Sequence, residues 1–246
     1  MTLIERLHTQ HVSPRRHKRL CELLAVLLPE GARVLDVGCG DGTLTAVMAS
    51  RRPDLELKGI DVLVRDPTHV PVRKFDGKRI PYEDASFDAV LLIDVLHHTH
   101  DPALLLKEAA RVAWKSVLVK DHIRDGWLGD ATLRLMDYIG NLGTEISIPY
   151  NYWPRARWAE TFASLGLGVG AWVGDLGLYP WPADLVFGRS LHFLARLDVA
   201  GDSSPGATGP LLLKALPRFP PASSSPNRGH SRLRRQGSSS PAARPE

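Results

Sequence analysis

Asp36, Gly38, Gly40 and Gly42 stand at every second position where an apolar run, Val34 to Val37, ends in a glycine-rich turn. A strand, such a turn and then a helix present backbone N–H groups and a positive helix end to an anion, and the glycines let a ligand approach closely. The dinucleotide fingerprint would need a third glycine at residue 43, which is Thr43. An acid two positions before the first glycine suits a ligand that carries both an ammonium and a carboxylate better than it suits a pyrophosphate. Further acids follow at Asp61, Asp76 (before Gly77) and Asp94, each at or near the end of an apolar run. His97, His98, His100 and His122 fall in the same zone together with Asp121, where open α/β sheets place their ligands. Their spacing matches no known metal-ligand pattern, so no metal centre is expected. His98 is the candidate general base, set against a purely structural role, and His97 is expected to pack within its loop. Cys39 reads as a small spacer rather than a nucleophile.

These residues need a scaffold that delivers them to one edge. Strands are expected at 33–37, 56–60, 72–75, 88–93 and 116–121, alternating with helical patterns at 43–51 and 102–112, the latter opened by Asp101 and Pro102. This alternation predicts βαβ units and a doubly wound, mostly parallel α/β sheet. A helix over 14–30 precedes it, with Ser13-Pro14 as its start and Leu20, Leu23, Leu24, Leu27 and Leu28 on one face. The link from Asp61 to Val72 is too short and proline-rich for a full crossover helix. Beyond 121 come an aromatic and glycine-rich stretch at 122–153, a helix over 154–165, and two last strands at 167–173 and 189–197.

The run VLDVGCGDG resembles the first motif of class I S-adenosylmethionine-dependent methyltransferases. LKGIDV, FDGKRIPYEDASFDAV and LLIDVLHHTHDP are similar to the family's later motifs and fall in the family's order over residues 33–121. The resemblance implies a seven-stranded sheet with a final antiparallel strand and helices on both faces. It implies S-adenosylmethionine as cofactor, with Asp36, Gly38 and Gly40 at its amino-acid end. Asp61 would bind the ribose hydroxyls, Asp76-Gly77 would meet the adenine, and Asp94 would contact the cofactor from the fourth strand. The short crossover after Asp61 and the stretch 122–153 depart from the pattern.

The expected chemistry is direct in-line methyl transfer to a small molecule. Segments 122–153 and 174–188 are the only long coverings above the strand ends, and they are rich in aromatics and poor in Lys and Arg. His122, Tyr150, Tyr152 and Trp181 are the candidate acceptor-binding residues, against a competing role for each in packing the covering onto the sheet. Two other readings stay open: a different sulfonium-using or hydrolytic enzyme on the same fold, and a noncatalytic S-adenosylmethionine-binding subunit.

Charge argues against a nucleic-acid partner. Of 31 Lys/Arg and 27 Asp/Glu, residues 201–246 hold seven and two, which leaves residues 1–200 close to neutral. Ser, Pro and Gly make up 22 of the 46 residues in that tail, so it is expected to be a disordered segment, and residues 1–200 a single domain. Within that domain, 33–121 would be the cofactor-binding half and 122–200 the acceptor-side half. Two cysteines make no disulfide framework, and the basic run at 15–19 is followed by Glu22 and no small-residue cleavage site, so a cytoplasmic location without a leader or membrane anchor is expected.

Overall fold

The computed structural model describes residues 13–126, 128–140, 149–179, 181, 184, 187–188, 191–199 and 211–212. The chain divides into a unit spanning Met1–Leu216 and a second spanning Pro217–Glu246, and every described residue belongs to the first. The expected tail, 201–246, lies outside the described residues apart from Leu211 and Leu212.

After helix α1 (Ser13–Leu27) the chain runs β1 (Arg33–Val37), α2 (Thr43–Arg51), β2 (Glu56–Asp61), β3 (Val72–Lys74) and β4 (Phe87–Ile93). A 3₁₀ turn over Leu96–His98 leads to α3 (Pro102–Val112), β5 (Ala113–His122), α4 (Gly129–Gly140) and α5 (Arg155–Ser164). Strands β6 (Leu167–Val173), β7 (His192–Val199) and β8 (Leu211–Leu212) complete the order. The sheet is ordered β3-β2-β1-β4-β5-β7-β6-β8. The first five strands are parallel, and β7 lies antiparallel between β5 and β6. This is the expected seven-stranded sheet, to which β8 adds a two-residue edge strand parallel to β6.

Side chains that alternate along β1 serve opposite layers, as the two-residue strand period requires. Val34 packs with Leu20, Leu24 and Met48 of α1 and α2 on one face, whereas Leu35 and Val37 pack with Leu105, Leu106 and Trp158 of α3 and α5 on the other. Central strands covered on both faces are largely apolar, and of the four buried β1 residues only Asp36 is polar, with Thr45 as its hydrogen-bond partner. Asp101 caps α3, accepting from the Leu104 N–H at 3.0 Å, with Pro102 in the first turn where it forfeits no helical bond.

Helix α1 ends at Leu27 rather than at 30, β7 runs on to Val199 rather than to 197, and two further differences bear on the site. Strand β5 begins at Ala113, because α3 passes into it without a loop and Ala113 itself is buried. Helix α4 occupies part of the stretch where no element was assigned; glycines at both of its ends hide it, although Thr132, Leu133 and Asp137 make one buried face.

The turn after β1 is held by sterics. Gly38 has φ +74°, and a Cβ there would lie 2.5 Å from Val95 Cγ2. Gly38→Ala is therefore expected to destabilise the fold by at least about 2 kcal/mol, from backbone strain and overpacking together. Urea denaturation of Gly38→Ala alone and combined with Val95→Ala checks this, with partial recovery expected in the double variant and no loss in the single variant contradicting it.

Candidate functional site

Four strand ends, those of β1 to β4, converge on one cavity of about 460 Å³. That size is within the roughly 300–1,000 Å³ typical of small-molecule pockets. Gly38 and Gly40 form its floor, Asp61, Val62, Asp76 and Gly77 one end, and Asp94, Val95 and His98 the other, with Leu104 and Leu105 of α3 alongside.

The glycine turn shapes this floor without offering a row of free donors. The N–H groups of Gly38 and Cys39 both donate to the Ile60 carbonyl, at 2.8 and 3.2 Å, and that of Gly42 donates to the Cys39 carbonyl at 3.0 Å. Gly40 N–H donates to Asp61 Oδ2 at 2.8 Å, while Asp61 Oδ1 accepts from Leu63 N–H at 2.9 Å. Gly40 itself has φ +63°, and a Cβ there would make only an ordinary contact, with Arg65 Nη1 at 3.8 Å the nearest atom. The turn thus lets a ligand approach the backbone, and Asp61, braced through both oxygens, faces the cavity with one lone pair left on each. Asp76 is an exposed turn residue whose Oδ1 accepts from the Lys78 and Arg79 N–H groups, both at 2.8 Å.

Asp36 lies elsewhere. It is buried behind the turn and accepts from Thr45 Oγ1 at 2.6 Å, and burial pushes its carboxyl up to about 6. It is absent from the cavity wall. The Cys39 thiol is pushed up to about 12 by burial, which leaves it no thiolate character.

The other end of the cavity is built on a buried charge cluster. Asp94 has φ +57° and its carboxylate pairs with Arg16 of α1 and Lys120 of β5, whose side chain is completely buried. Burial opposes its charge, yet Arg16 and Lys120 overcome that and hold the carboxyl well below the usual range. Behind Asp94, Asp121 ties β5 to the loop after β4: Oδ1 lies 2.7 Å from His97 Nδ1 and accepts from His122 N–H at 2.7 Å, while Oδ2 accepts from Leu96 N–H at 3.1 Å. Burial alone would keep His97 neutral, but Asp121 raises it above the ordinary imidazole value. His192 completes the cluster, with Nδ1 3.4 Å from Lys120 Nζ.

His98 lines the cavity, and its Nδ1 is buried without a hydrogen-bond partner. Burial, and then the neighbouring His97, pull its imidazole down to about 4. The expected acceptor residues are placed differently. His122 and Tyr152 are buried beside His97, with ring centroids 4.4 and 5.8 Å from it, and the Tyr152 hydroxyl donates to Asp137. Tyr150 is half-buried with the Arg134 guanidinium 4.9 Å over its ring, and Trp181 is 80% exposed. None of these four lines the cavity.

Asp94, His97 and His122 bring one potential ligand atom each within 4.8 Å of one another. In this arrangement those groups have protein partners: Lys120 and Arg16 neutralise Asp94, and His97 Nδ1 faces Asp121. A divalent ion would have to displace these cations, so the cluster fits internal charge pairing better than metal ligation.

Arg16, Lys120 and His192 were missed from sequence. Lys120 carried a signal, as the one charge within Val117-Leu118-Val119-Lys120, a run otherwise suited to a strand buried on both faces. Arg16 carried none, because only the packing of α1 brings it to Asp94.

A family model described as a methyltransferase domain matches residues 12–139. The 27-O-demethylrifamycin SV methyltransferase of Amycolatopsis mediterranei is 34% identical over 109 residues, covering 38% of this chain and 40% of that protein. A ubiquinone biosynthesis O-methyltransferase of Xanthomonas axonopodis pv. citri is 36% identical over 107 residues, covering 37% of this chain and 43% of that protein. The chain thus spans about two fifths of the length of these curated relatives. In fold it is similar to the crystal structure of an S-adenosylmethionine-dependent methyltransferase from Aquifex aeolicus, with TM-score 0.53 and 18% identity over 80% of this chain and 96% of that one.

The cluster sets a pH dependence. His17, His98, His122 and His192 are all held below the ordinary imidazole value, chiefly by burial. The unfolded chain takes up these protons near pH 6.5 and the folded chain resists them, so stability falls as pH drops through 6.5. Asp36, raised to about 6, acts in the opposite sense but as a single group, and the contribution of His97 is already complete below 6.5 and is lost only as pH rises through its raised value. Unfolding free energy is expected to decline between pH 6.5 and 5 by at least about 1.4 kcal/mol per pH unit, the slope of one unbalanced proton. Denaturant titrations at several pH values check this; His98→Asn should flatten the slope, and a flat wild-type profile would contradict the assignment.

Proposed function

Because this chain belongs to the methyltransferase domain family, we propose that it transfers a methyl group from S-adenosylmethionine to a hydroxyl group of a small molecule. The observation that carries this reading is a cavity bounded by Asp61, Asp76 and Gly77 at one end and by Asp94 and His98 at the other. Two of the relatives act, by their names, on oxygen. No described helix is long and apolar enough to cross a membrane.

The cavity suits the cofactor on its own chemistry. Asp61 would accept from the ribose hydroxyls through its remaining lone pairs, and Gly40 leaves room for the amino-acid portion. Val62 and Leu104, half-exposed on opposite walls, would cover the adenine beside Asp76-Gly77. Asp94, already paired with Arg16 and Lys120, would present its carboxylate to the positive sulfonium end. We assign Asp36 to bracing the turn from behind through Thr45. Bound there, the sulfonium supplies an activated methyl group, and no covalent enzyme adduct is required.

The protein's tasks are alignment and removal of one proton. Alignment of two reactants contributes up to about 7–11 kcal/mol, a larger effect than a base of about 10²–10⁴-fold. His98, uncharged at neutral pH, would accept the hydroxyl hydrogen bond and take its proton as the acceptor oxygen acquires the methyl group. An imidazole held near 4 is a weak base. It suffices because the oxygen's proton becomes strongly acidic as the new C–O bond forms. Tyr150, His122 and Tyr152 would shape acceptor binding through the wall behind His98, and Trp181 would stand at its outer rim.

Release of S-adenosylhomocysteine, followed over a panel of phenols and alcohols, tests the function. His98→Asn is expected to keep cofactor affinity within about threefold and to lower turnover by roughly 10²-fold. Cofactor binding with no S-adenosylhomocysteine from any acceptor in the panel would instead support a noncatalytic binding subunit.

A further inference from the structure

The geometry points to His97 as a positioning residue, a buried side chain that acts on the reaction only by fixing the place and charge of His98. This inference rests on the reading of His98 as the group beside the acceptor.

His97 is 1% exposed and lies outside the cavity wall, so it touches neither the cofactor space nor an acceptor in it. Its ring packs on that of His98, with centroids 4.1 Å apart and planes at 42°. Both of its nitrogens face carboxylates, Nδ1 at 2.7 Å from Asp121 Oδ1 and Nε2 at 3.5 Å from Asp137 Oδ2. Asp137 is held in turn by the Tyr152 hydroxyl. The backbone is fixed as well, since the His97 carbonyl accepts from Asn151 N–H at 3.2 Å, and Asn151 Nδ2 donates to the Thr99 carbonyl at 3.1 Å.

A side chain needed only to fill this space would be apolar, because burying a histidine between two acids costs desolvation that an aliphatic group avoids. The two acids are stable there when His97 is the imidazolium, whose Nδ1–H donates to Asp121 and whose charge faces Asp137. That charge is what His98 meets at ring contact. The groups facing His98 are His97 from its own turn, Asp94 from the end of β4, Asp121 from β5 and Asp137 from α4. Burial and the His97 charge both disfavour a second proton on His98, and the three acids oppose them more weakly. The clamp thus keeps His98 a neutral proton acceptor and stops its ring from rotating out of the cavity. It also links that ring to α4 and Tyr152.

The test is a nitrogen-15 NMR titration of labelled histidines in the whole chain, with and without His97→Gln. In the wild-type chain His97 should hold its second proton to a pH at least about two units above that at which His98 gains one. In His97→Gln the His98 midpoint should rise by at least about half a unit, and the acid limb of the pH profile for methyl transfer should move with it. Should that variant not fold, the wild-type titration decides alone, and overlapping midpoints for His97 and His98 overturn the inference. A folded variant with an unmoved His98 midpoint overturns it too. If the NMR result holds but no acceptor is methylated, the positioning of His98 stands and the proposed function fails; an unmoved midpoint in an enzyme that loses turnover with His98→Asn means the reverse.

Discussion

Three carboxylates, the buried Asp121 and Asp137 and the half-buried Asp94, gather at the carboxyl ends of β4 and β5 and on α4, and the site depends on each of them being matched. An unpaired buried carboxylate costs several kcal/mol, so none of these acids could be placed without partners. The partners come from different elements: Arg16 from α1, Lys120 from β5, His97 from the 3₁₀ turn, and Tyr152 from the segment after α4. Matching the charges therefore fixes how these elements meet. The left-handed backbone at Asp94 belongs to the same constraint, because the chain must turn sharply after β4 for the carboxylate to reach both Arg16 and Lys120.

The opposite end of the cavity follows another logic. There the polar groups are small and mutually satisfied, with Asp61 bracing Gly40 and Leu63 and with the glycine turn donating inward to Ile60. Close approach is secured by missing side chains, as at Gly40, more than by added ones. One end of the cavity is thus rigid through charge and the other through tight backbone packing. A cofactor lying between them would meet two preorganised walls, which is where alignment draws its contribution to rate.

Much of this was legible in the sequence. Parallel strands buried on both faces are mostly apolar, so β1, β4 and β5 announce themselves, and acids at or near their ends stand out against that background. Gly38, Gly40, Asp61, Asp76, Gly77, Asp94 and His98 meet in one cavity as their positions after the strands suggest. Long-range pairing was not legible. Arg16 and Asp94 are 78 residues apart, and Lys120 and His192 are 72 apart. No local pattern encodes such contacts. Aromatic content also misled as a guide to lining: Tyr152 packs beside His97 and His122, where its hydroxyl has a buried carboxylate to serve, and periodicity cannot reveal that.

Calorimetric binding of S-adenosylmethionine to the whole chain, set beside Asp61→Ala, bears most directly on a cofactor held between Asp61 and His98. One site per chain is expected in the wild type, with affinity at least about tenfold weaker in the variant, equivalent to about 1.4 kcal/mol of lost ribose contact. Thermal unfolding of the same samples shows whether the turn braced by Asp61 has survived. Undiminished affinity in a folded Asp61→Ala chain, or no binding to the wild type, would contradict a cofactor placed in this cavity.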